Sequence, residues 1–150
     1  MKVYIGSDHK GYNLKNKIIE LYQNNLNYEI IDCGNEVLDQ NDDYVDYASL
    51  VAKNVSKDKY SLGILICGTG FGMCISANKI IGIRAISSHN KDEIKVARSH
   101  NQINILCLGA DYVSNEDLSE LLQSFFETEI YSEERHQRRI NKISSLEKDL

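Results

Sequence analysis

Short apolar runs alternate along the chain with stretches in which apolar residues recur every three or four positions. A short run bounded by polar residues predicts a buried strand, and the longer spacing predicts one face of a helix. The predicted strands are Val3–Ile5, Glu29–Ile31, Leu62–Ile66, Ile83–Ile86 and Ile105–Leu108. The predicted helices follow at about 14–22, 48–55, 72–79, 92–100 and 118–126, with a last one over 135–148.

This strand–helix alternation predicts an α/β fold in which a five-stranded parallel sheet is covered by helices on both faces. With right-handed crossovers, the arrangement is a Rossmann-like αβα sandwich. A length of 150 residues suits one domain with a proper core, so we expect residues 1–150 to form a single domain. Residues 33–46 lack periodicity and are rich in Asn and Asp, which predicts a surface loop.

The composition narrows the classes of function. The formal net charge of −5 argues against nucleic-acid and anionic-membrane binding, because both require a basic surface. The sequence contains no apolar run long enough for a transmembrane helix and no signal-peptide pattern, so we expect a cytoplasmic protein. The four cysteines form no C-x-x-C pair and have no histidine at zinc-finger spacing, which predicts free thiols and no metal site.

Chemically active side chains directly follow four of the predicted strands. Ser7-Asp8-His9 follows the first strand, Cys67–Gly72 the third, Ser87-Ser88-His89 the fourth and Gly109-Ala110-Asp111 the fifth. In open parallel sheets, ligands bind outside the carboxyl ends of the strands. We therefore expect these segments to meet at one edge of the sheet and to form a ligand site there.

The segment Cys67-Gly68-Thr69-Gly70-Phe71-Gly72 connects a predicted strand to a predicted helix. It does not fit the dinucleotide pattern G-x-G-x-x-G, whose third glycine would be residue 73, a methionine, so no nucleotide cofactor is predicted. Successive backbone N–H groups at a helix start still attract an anion, either a phosphate or an oxyanion that develops during a reaction. The Cys67 thiol is either a reactive group beside these N–H groups or a buried strand-end residue.

Two further segments carry histidine and arginine. Arg98-Ser99-His100-Asn101 ends a predicted helix just before the fifth strand, where His100 is either a helix cap or a functional group. Arg135-His136-Gln137-Arg138-Arg139 opens the last helix, and Arg135 and Arg139 share one of its faces. In an acidic protein, such a cluster is either a solvated surface or a phosphate clamp.

Taken in order, these motifs resemble the type B ribose-5-phosphate isomerase family, which also includes the subunits of galactose-6-phosphate isomerase. The motifs extend over nearly the whole chain and comprise Ser7–Lys15, Ile66–Gly72, Ala77–Lys79, Gly82–Ala85, Arg98–Asn101 and Arg135–Arg139. The resemblance implies an aldose–ketose isomerase of the pentose phosphate pathway. It would interconvert D-ribose 5-phosphate and D-ribulose 5-phosphate without a metal or a cofactor.

The resemblance also implies catalytic roles. Cys67 would be the base that moves a proton between C2 and C1 of the open-chain sugar phosphate, through a cis-enediolate. His100 would be the acid that helps to open the furanose ring, and Asn101 would hold the substrate. The enediolate would be bound by Gly68, Thr69 through its hydroxyl, Gly70, Phe71 and Gly72. The chemistry is consistent, because a base succeeds on a weak carbon acid only if the new oxyanion is stabilised.

Substrate binding and assembly are implied in the same way. Asp8 and His9 resemble the substrate-binding pair of the family, with His9 towards the phosphate, and Arg135 and Arg139 would clamp the phosphate. The family places this site between subunits, which implies a homodimer or a dimer of dimers with 133–150 at the interface. The residues alone leave open whether the apolar stripe of the last helix packs on its own subunit. That stripe consists of Ile140, Ile143 and Leu146.

Four positions depart from the family pattern. Val45 and Ile81 stand where prolines are common, and these changes affect loop rigidity only. Glu134 replaces a frequent glycine and adds a negative charge next to the predicted phosphate clamp. Asp111 stands where many members carry an arginine that contacts phosphate, so either weaker phosphate binding or a different sugar is expected.

Two alternatives to the ribose 5-phosphate activity therefore remain. One is an isomerase of a six-carbon aldose phosphate, such as allose 6-phosphate or galactose 6-phosphate. The other is a non-catalytic sugar-phosphate-binding module on the same fold. The resemblance implies paired unlike subunits for the galactose enzyme, one of them without the thiol, so the presence of both Cys67 and His100 favours a self-sufficient enzyme. The same residues argue against a binding module, which needs the phosphate clamp but not the base.

Overall fold

The computed structural model describes residues 1–149, and the side chains of residues 1–148. The elements in chain order are β1 (Lys2–Ser7), α1 (Tyr12–Tyr22), β2 (Glu29–Asp32), α2 (Tyr44–Lys57), β3 (Leu62–Cys67), α3 (Phe71–Ala77), β4 (Ala85–Ser87), α4 (Lys91–Asn101), β5 (Ile105–Gly109), α5 (Leu118–Glu127) and α6 (Glu134–Leu146), followed by a 3₁₀ turn (Glu147–Asp149). Within the described residues, no helix is long and apolar enough to cross a membrane. The C-terminal segment 133–150 ends at Leu150, which lies outside the described residues.

The five strands form one parallel sheet in the order β2-β1-β3-β5-β4, which confirms the predicted architecture. The chain passes from β1 to β2 on one side and then returns to β3 on the other side of β1. The strand order therefore reverses between β1 and β3, and open α/β sheets form a ligand-binding crevice at the carboxyl ends of the strands at such a point. Ser7 at the end of β1 pairs with Ile66 near the end of β3, so the segments that follow these strands start side by side.

Two apolar layers cover the sheet. One face packs against α1, α4 and α5 through residues such as Ile18, Ile94 and Phe125, and the other packs against α2 and α3 through residues such as Val51 and Met73. The central strand β3 is buried along its whole length. A strand that is covered on both faces needs apolar side chains on both, which explains why the sequence reads as a continuous apolar run there.

The fourth strand is shorter than the sequence predicts. It begins at Ala85 instead of Ile83, although Ile83 is buried in the core. Two asparagine side chains accept hydrogen bonds from the backbone at this point, Asn104 from Arg84 N (2.8 Å) and Asn78 from Ala85 N (2.9 Å). The prediction was therefore wrong for the first two residues of the run, because the apolar side chain serves packing rather than sheet pairing.

A fully buried lysine joins α1 to the loop after β2. The Lys15 side chain is 1% exposed, and its Nζ lies 2.7 Å and 2.9 Å from the two carboxylate oxygens of Asp32. Nζ also donates to the carbonyl oxygen of Asn35 at 2.8 Å. These three acceptors replace the water that the ammonium group loses on burial. The pair thereby fixes the start of the loop between β2 and α2.

Substitution of Lys15 by methionine should lower the free energy of unfolding by about 2 kcal/mol. The change leaves Asp32 and the Asn35 carbonyl without their cation, and the partial exposure of Asp32 keeps the loss below that of a fully buried pair. Urea denaturation would measure the loss, with Lys53→Met on the exposed side of α2 as the control. Equal stability of the two variants would contradict this role of Lys15.

Candidate active site

The segments that follow β1, β3 and β5 are bonded to one another at the carboxyl edge of the sheet. Asp8 N donates to the carbonyl oxygen of Ile66 at 3.2 Å, and Ala110 N donates to the carbonyl oxygen of Cys67 at 2.8 Å. After β4, His89 accepts a hydrogen bond from Gly109 N at its Nε2, at 2.8 Å. The prediction that these segments meet at one edge is confirmed. We call the group formed by Asp8, His9 and residues 67–72 the thiol half-site.

Cys67 is the last residue of β3 and is only 6% exposed. Its sulfur accepts a hydrogen bond from Gly70 N at 3.1 Å, so the loop after the strand folds back over the thiol. This places Sγ among the N–H groups of the loop that the sequence predicts to bind an anion. The thiol is therefore both a buried strand-end residue and a neighbour of the predicted anion site.

Two loop glycines are required by close packing. Gly70 has φ of 82°, and a Cβ atom there would lie 2.6 Å from Ser87 Oγ. At Gly72, a Cβ atom would lie 2.6 Å from the ring of Tyr44. A left-handed conformation and these close approaches favour glycine. The loop is therefore held in one shape from two sides, by the end of β4 and by the start of α2.

Thr69 and Phe71 complete the loop. Thr69 Oγ1 accepts a hydrogen bond from Phe71 N at 3.3 Å, which leaves the hydroxyl hydrogen free to donate to a ligand. The Phe71 side chain is 56% exposed, so this residue contributes its backbone to the loop and an apolar surface beside it. Asp111 is exposed, and its carboxylate oxygen would lie 3.1 Å from a Cβ atom on Gly68.

Asp8 lies at the base of the same crevice and is 6% exposed. Its Oδ1 accepts hydrogen bonds from Lys10 N (3.0 Å) and Gly11 N (3.1 Å). Burial raises the pKa of the Asp8 carboxyl above its usual value, and the hydrogen bond from Gly11 opposes that rise. The adjacent His9 has its Nδ1 2.7 Å from the Oδ1 of Asp42, a loop residue that the sequence did not single out.

His100 and Asn101 do not join the thiol half-site within one chain. They end α4, which runs back from the carboxyl edge, and β5 begins a few residues later at Ile105. Ile105 pairs with Gly63, whereas Cys67 pairs with Gly109 at the other end of the strand. At about 3.3 Å per residue, the two ends of β5 are about 13 Å apart. Cys67 and His100 therefore lie at opposite edges of the sheet.

A second group lies at the amino edge and combines predicted residues with Tyr131 and His136, which were not predicted site residues. The rings of His100 and His136 stack with their centroids 4.3 Å apart, and Tyr131 lies 5.4 Å from His100. Burial and the nearby His100 ring lower the pKa of His136 below its usual value. The group joins α4 to α6, and we call it the histidine half-site. It comprises His100, Asn101, Tyr131, Arg135, His136 and Arg139.

The two arginines of the histidine half-site point into solvent. The Arg135 side chain is 59% exposed and its Nε donates to Glu133 at 2.8 Å, and Arg139 is also exposed. Ile140 of the apolar stripe is buried, but Ile143 and Leu146 are 39% and 67% exposed. The stripe therefore packs on its own subunit only at its first residue. Within the described chain, no group of three or more His, Cys, Asp or Glu side chains is arranged to hold a metal ion.

The three cysteines outside Cys67 differ from one another. The apolar neighbours of Cys74 and Cys107 predict two core residues. Cys107 is fully buried, but Cys74 is only partly buried, as is Cys33, so the prediction is wrong for Cys74. A hydrogen bond with the Cys107 thiol lowers the pKa of Cys74 to about 7. Burial raises the pKa of Cys107 well above its usual value. Cys74 is therefore a second thiol whose reactivity must be separated from that of Cys67.

Iodoacetamide should modify Cys74 at a rate that rises as the pH passes through about 7, because a lowered pKa means that the thiolate forms above that pH. Cys107 should stay unmodified in the folded protein. Peptide mapping by mass spectrometry after labelling at pH 6 and pH 8 would measure each site. Equal labelling of Cys74 and Cys107 at both values would contradict the expected difference.

Comparisons with known proteins agree with the geometry. The family model described as Ribose/Galactose Isomerase matches residues 3–143. A probable ribose-5-phosphate isomerase B from Mycoplasma genitalium is 40% identical over 148 residues, 98% of this chain and 96% of that protein. The crystal structure of ribose-5-phosphate isomerase B from M. genitalium with bound ribulose-5-phosphate has a TM-score of 0.91 at 39% identity, covering 99% of this chain and 97% of that one. The type B enzyme from Trypanosoma cruzi has a TM-score of 0.93 at 36% identity, with 100% of both chains covered. This chain belongs to the ribose/galactose isomerase family.

Proposed function

We propose that this protein interconverts D-ribose 5-phosphate and D-ribulose 5-phosphate. The observation that carries the proposal is the Cys67 sulfur, held at 3.1 Å from Gly70 N inside a glycine loop. The loop lies at the carboxyl end of β3, next to the point where the strand order reverses, which is a common ligand position in such sheets. The similarity to a structure with bound ribulose-5-phosphate supports a five-carbon sugar phosphate as the substrate.

The residues of the thiol half-site fit the chemistry of this reaction. The Cys67 sulfur would take the proton from C2 of the open-chain aldose, and the electron pair of the C–H bond would form the C1–C2 double bond. The aldehyde oxygen would then carry negative charge, which the loop N–H groups and the Thr69 hydroxyl would stabilise. Return of the proton from the Cys67 sulfur to C1 and transfer of the hydroxyl proton from O2 to O1 would give the ketose.

The histidine half-site would be supplied by a second copy of the chain. A two-fold dimer brings the same pair of surfaces together twice, so the amino edge of each subunit would face the carboxyl edge of its partner. Exposed apolar side chains beside both half-sites support such contacts, with Phe71 and Ile75 near the thiol and Ile143 and Leu146 on α6. The proposed assembly is a homodimer, or a tetramer built from two such dimers.

In this dimer, each site would combine anion-binding groups from both subunits. His9 and the loop N–H groups come from one subunit, and the solvent-facing Arg135 and Arg139 come from its partner. Guanidinium groups bind phosphate through paired hydrogen bonds, so the two arginines would hold the phosphate end of the sugar. His100 would then reach the sugar ring and supply the acid for ring opening, with Asn101 beside it. The enzyme would act in the cytoplasm, in the pentose phosphate pathway.

The direct test is isomerisation of ribose 5-phosphate without added metal. We expect turnover of ribose 5-phosphate that exceeds turnover of allose 6-phosphate and galactose 6-phosphate. Six-carbon sugar phosphates are the second candidate, because Asp111, whose carboxylate lies beside Gly68, places a negative charge where the family pattern has a phosphate-binding arginine. Faster turnover of a six-carbon substrate would overturn the choice of sugar, and inactivity with all three would favour a binding module.

A further inference from the structure

Asp42 holds His9 through two short contacts, although the two residues are far apart in the sequence. One carboxylate oxygen, Oδ1, accepts a hydrogen bond from His9 N at 3.0 Å and lies 2.7 Å from His9 Nδ1. The other oxygen accepts a hydrogen bond from Asn35 Nδ2 at 3.0 Å. The Asp42 side chain is only 4% exposed. Three donors therefore surround a nearly buried carboxylate, which fixes its orientation.

The loop that carries Asp42 is itself attached to the core of the fold. Asn35 is buried, and its Oδ1 accepts a hydrogen bond from Ser7 Oγ at 3.3 Å. Its carbonyl oxygen accepts a hydrogen bond from the buried Lys15 at 2.8 Å. Ser7 ends β1, directly before Asp8 and His9. The loop and the histidine are thus held against the same strand, so their relative position is rigid.

We infer that Asp42 is a positioning residue for His9, which it holds with Nδ1 turned inward so that Nε2 faces the phosphate of the substrate. The inference rests on the proposed function. The carboxylate accepts the Nδ1 proton and offsets the positive charge of a protonated ring, which then donates from Nε2 to a phosphate oxygen. A carboxylate on the second ring nitrogen orients functional histidines in this way. The His9 side chain is 25% exposed, which leaves room for a ligand.

Asp42→Asn is the sharpest variant because it removes the charge and keeps the shape. The amide oxygen can still accept from His9. The Asn35 amide can reverse to accept from the new NH₂ group, since the Ser7 hydroxyl can then act as the acceptor. Asp46→Asn is the matched control, because Asp46 is an exposed carboxylate in the first turn of α2 and gives the same change in net charge.

A double-mutant cycle with His9→Gln separates positioning from general stabilisation. We expect Asp42→Asn to raise KM for ribose 5-phosphate about tenfold and to change kcat by less than about threefold. In the His9→Gln background, the same change should have no further effect, because Asp42 acts through His9. If the rise in KM in the double variant equalled the product of the two single rises, the inference would be overturned. It would also be overturned if Asp42→Asn had the same KM as Asp46→Asn.

Nitrogen-15 NMR of the histidine rings tests the inference independently of the substrate. In the neutral form of the ring, we expect the proton of the His9 ring on Nδ1 in the natural protein and mainly on Nε2 in Asp42→Ala. His9→Gln identifies the resonance. An identical ring tautomer in both proteins would overturn the role of Asp42. If ribose 5-phosphate is not turned over but the tautomer changes as expected, the proposed function fails and the positioning of His9 by Asp42 stands.

Discussion

Replacement of Cys67 by alanine should lower kcat for ribose 5-phosphate isomerisation by at least about 10². The variant removes the only group that the account assigns to proton transfer at C1 and C2, and it leaves the loop N–H groups in place. KM should change little, because His9, Arg135 and Arg139 are the groups assigned to the phosphate. Initial rates measured from ribose 5-phosphate to ribulose 5-phosphate would give both constants.

The control for this experiment is Cys33→Ala. Cys33 is a partly buried thiol that directly follows the edge strand β2, and it lies outside the thiol half-site. We expect this variant to keep kcat within about twofold of the natural protein, and circular dichroism should show that both variants are folded. If Cys67→Ala kept its activity, the base would be another residue and the interpretation of the glycine loop would be wrong.

The fold was predictable because each strand coincides with a short apolar run that can be recognised from the local sequence. The run at Leu62–Cys67 is apolar at nearly every position, and the glycines after it separate a strand from a helix. The carboxyl-edge rule then placed Asp8 and Cys67 together from their positions after strands alone. The shape of the glycine loop could not be predicted from the sequence, because Gly70 and Gly72 pack against Ser87 and Tyr44, which are distant in the sequence.

A similar rule for residues that precede a strand explains why the candidate site is divided into two half-sites. Residues that precede a parallel strand lie at its amino end, so His100, just before β5, had to lie away from Cys67. Long-range polar pairs were beyond such reasoning. Lys15 lies in a helix and is buried because it forms an ion pair with Asp32, which is distant in the sequence. Asp42 contacts His9 from a loop that has no periodic pattern. No spacing rule connects residues that are joined only by folding.

A subunit-mixing experiment should restore activity from two inactive variants. Cys67→Ala lacks the proposed base of the thiol half-site, and His100→Asn lacks the proposed ring-opening acid of the histidine half-site. In a mixed dimer, one site combines both defects and the other combines both intact halves. After unfolding and refolding together at equal concentrations, half of the dimers are mixed. About a quarter of the natural activity should therefore return.

The reverse mixture is the control. The double variant Cys67→Ala/His100→Asn is defective in both half-sites. Each mixed dimer that it forms with the natural protein therefore contains two sites with one defective half each. Joint refolding should therefore reduce the activity contributed by the natural protein by about half. Native mass spectrometry of both refolded mixtures would show independently of activity that mixed dimers have formed, because the variants differ in mass.

The subunit-mixing measurement tests the central claim of the account most directly, because it asks whether Cys67 and His100 act in one site from different chains. The account predicts recovery to about a quarter of the natural activity in the first mixture and a loss in the control. A first mixture that stays at the summed residual activities of its two variants, while native mass spectrometry shows that mixed dimers have formed, would contradict it. The thiol and the histidine would then not share a site across the subunits.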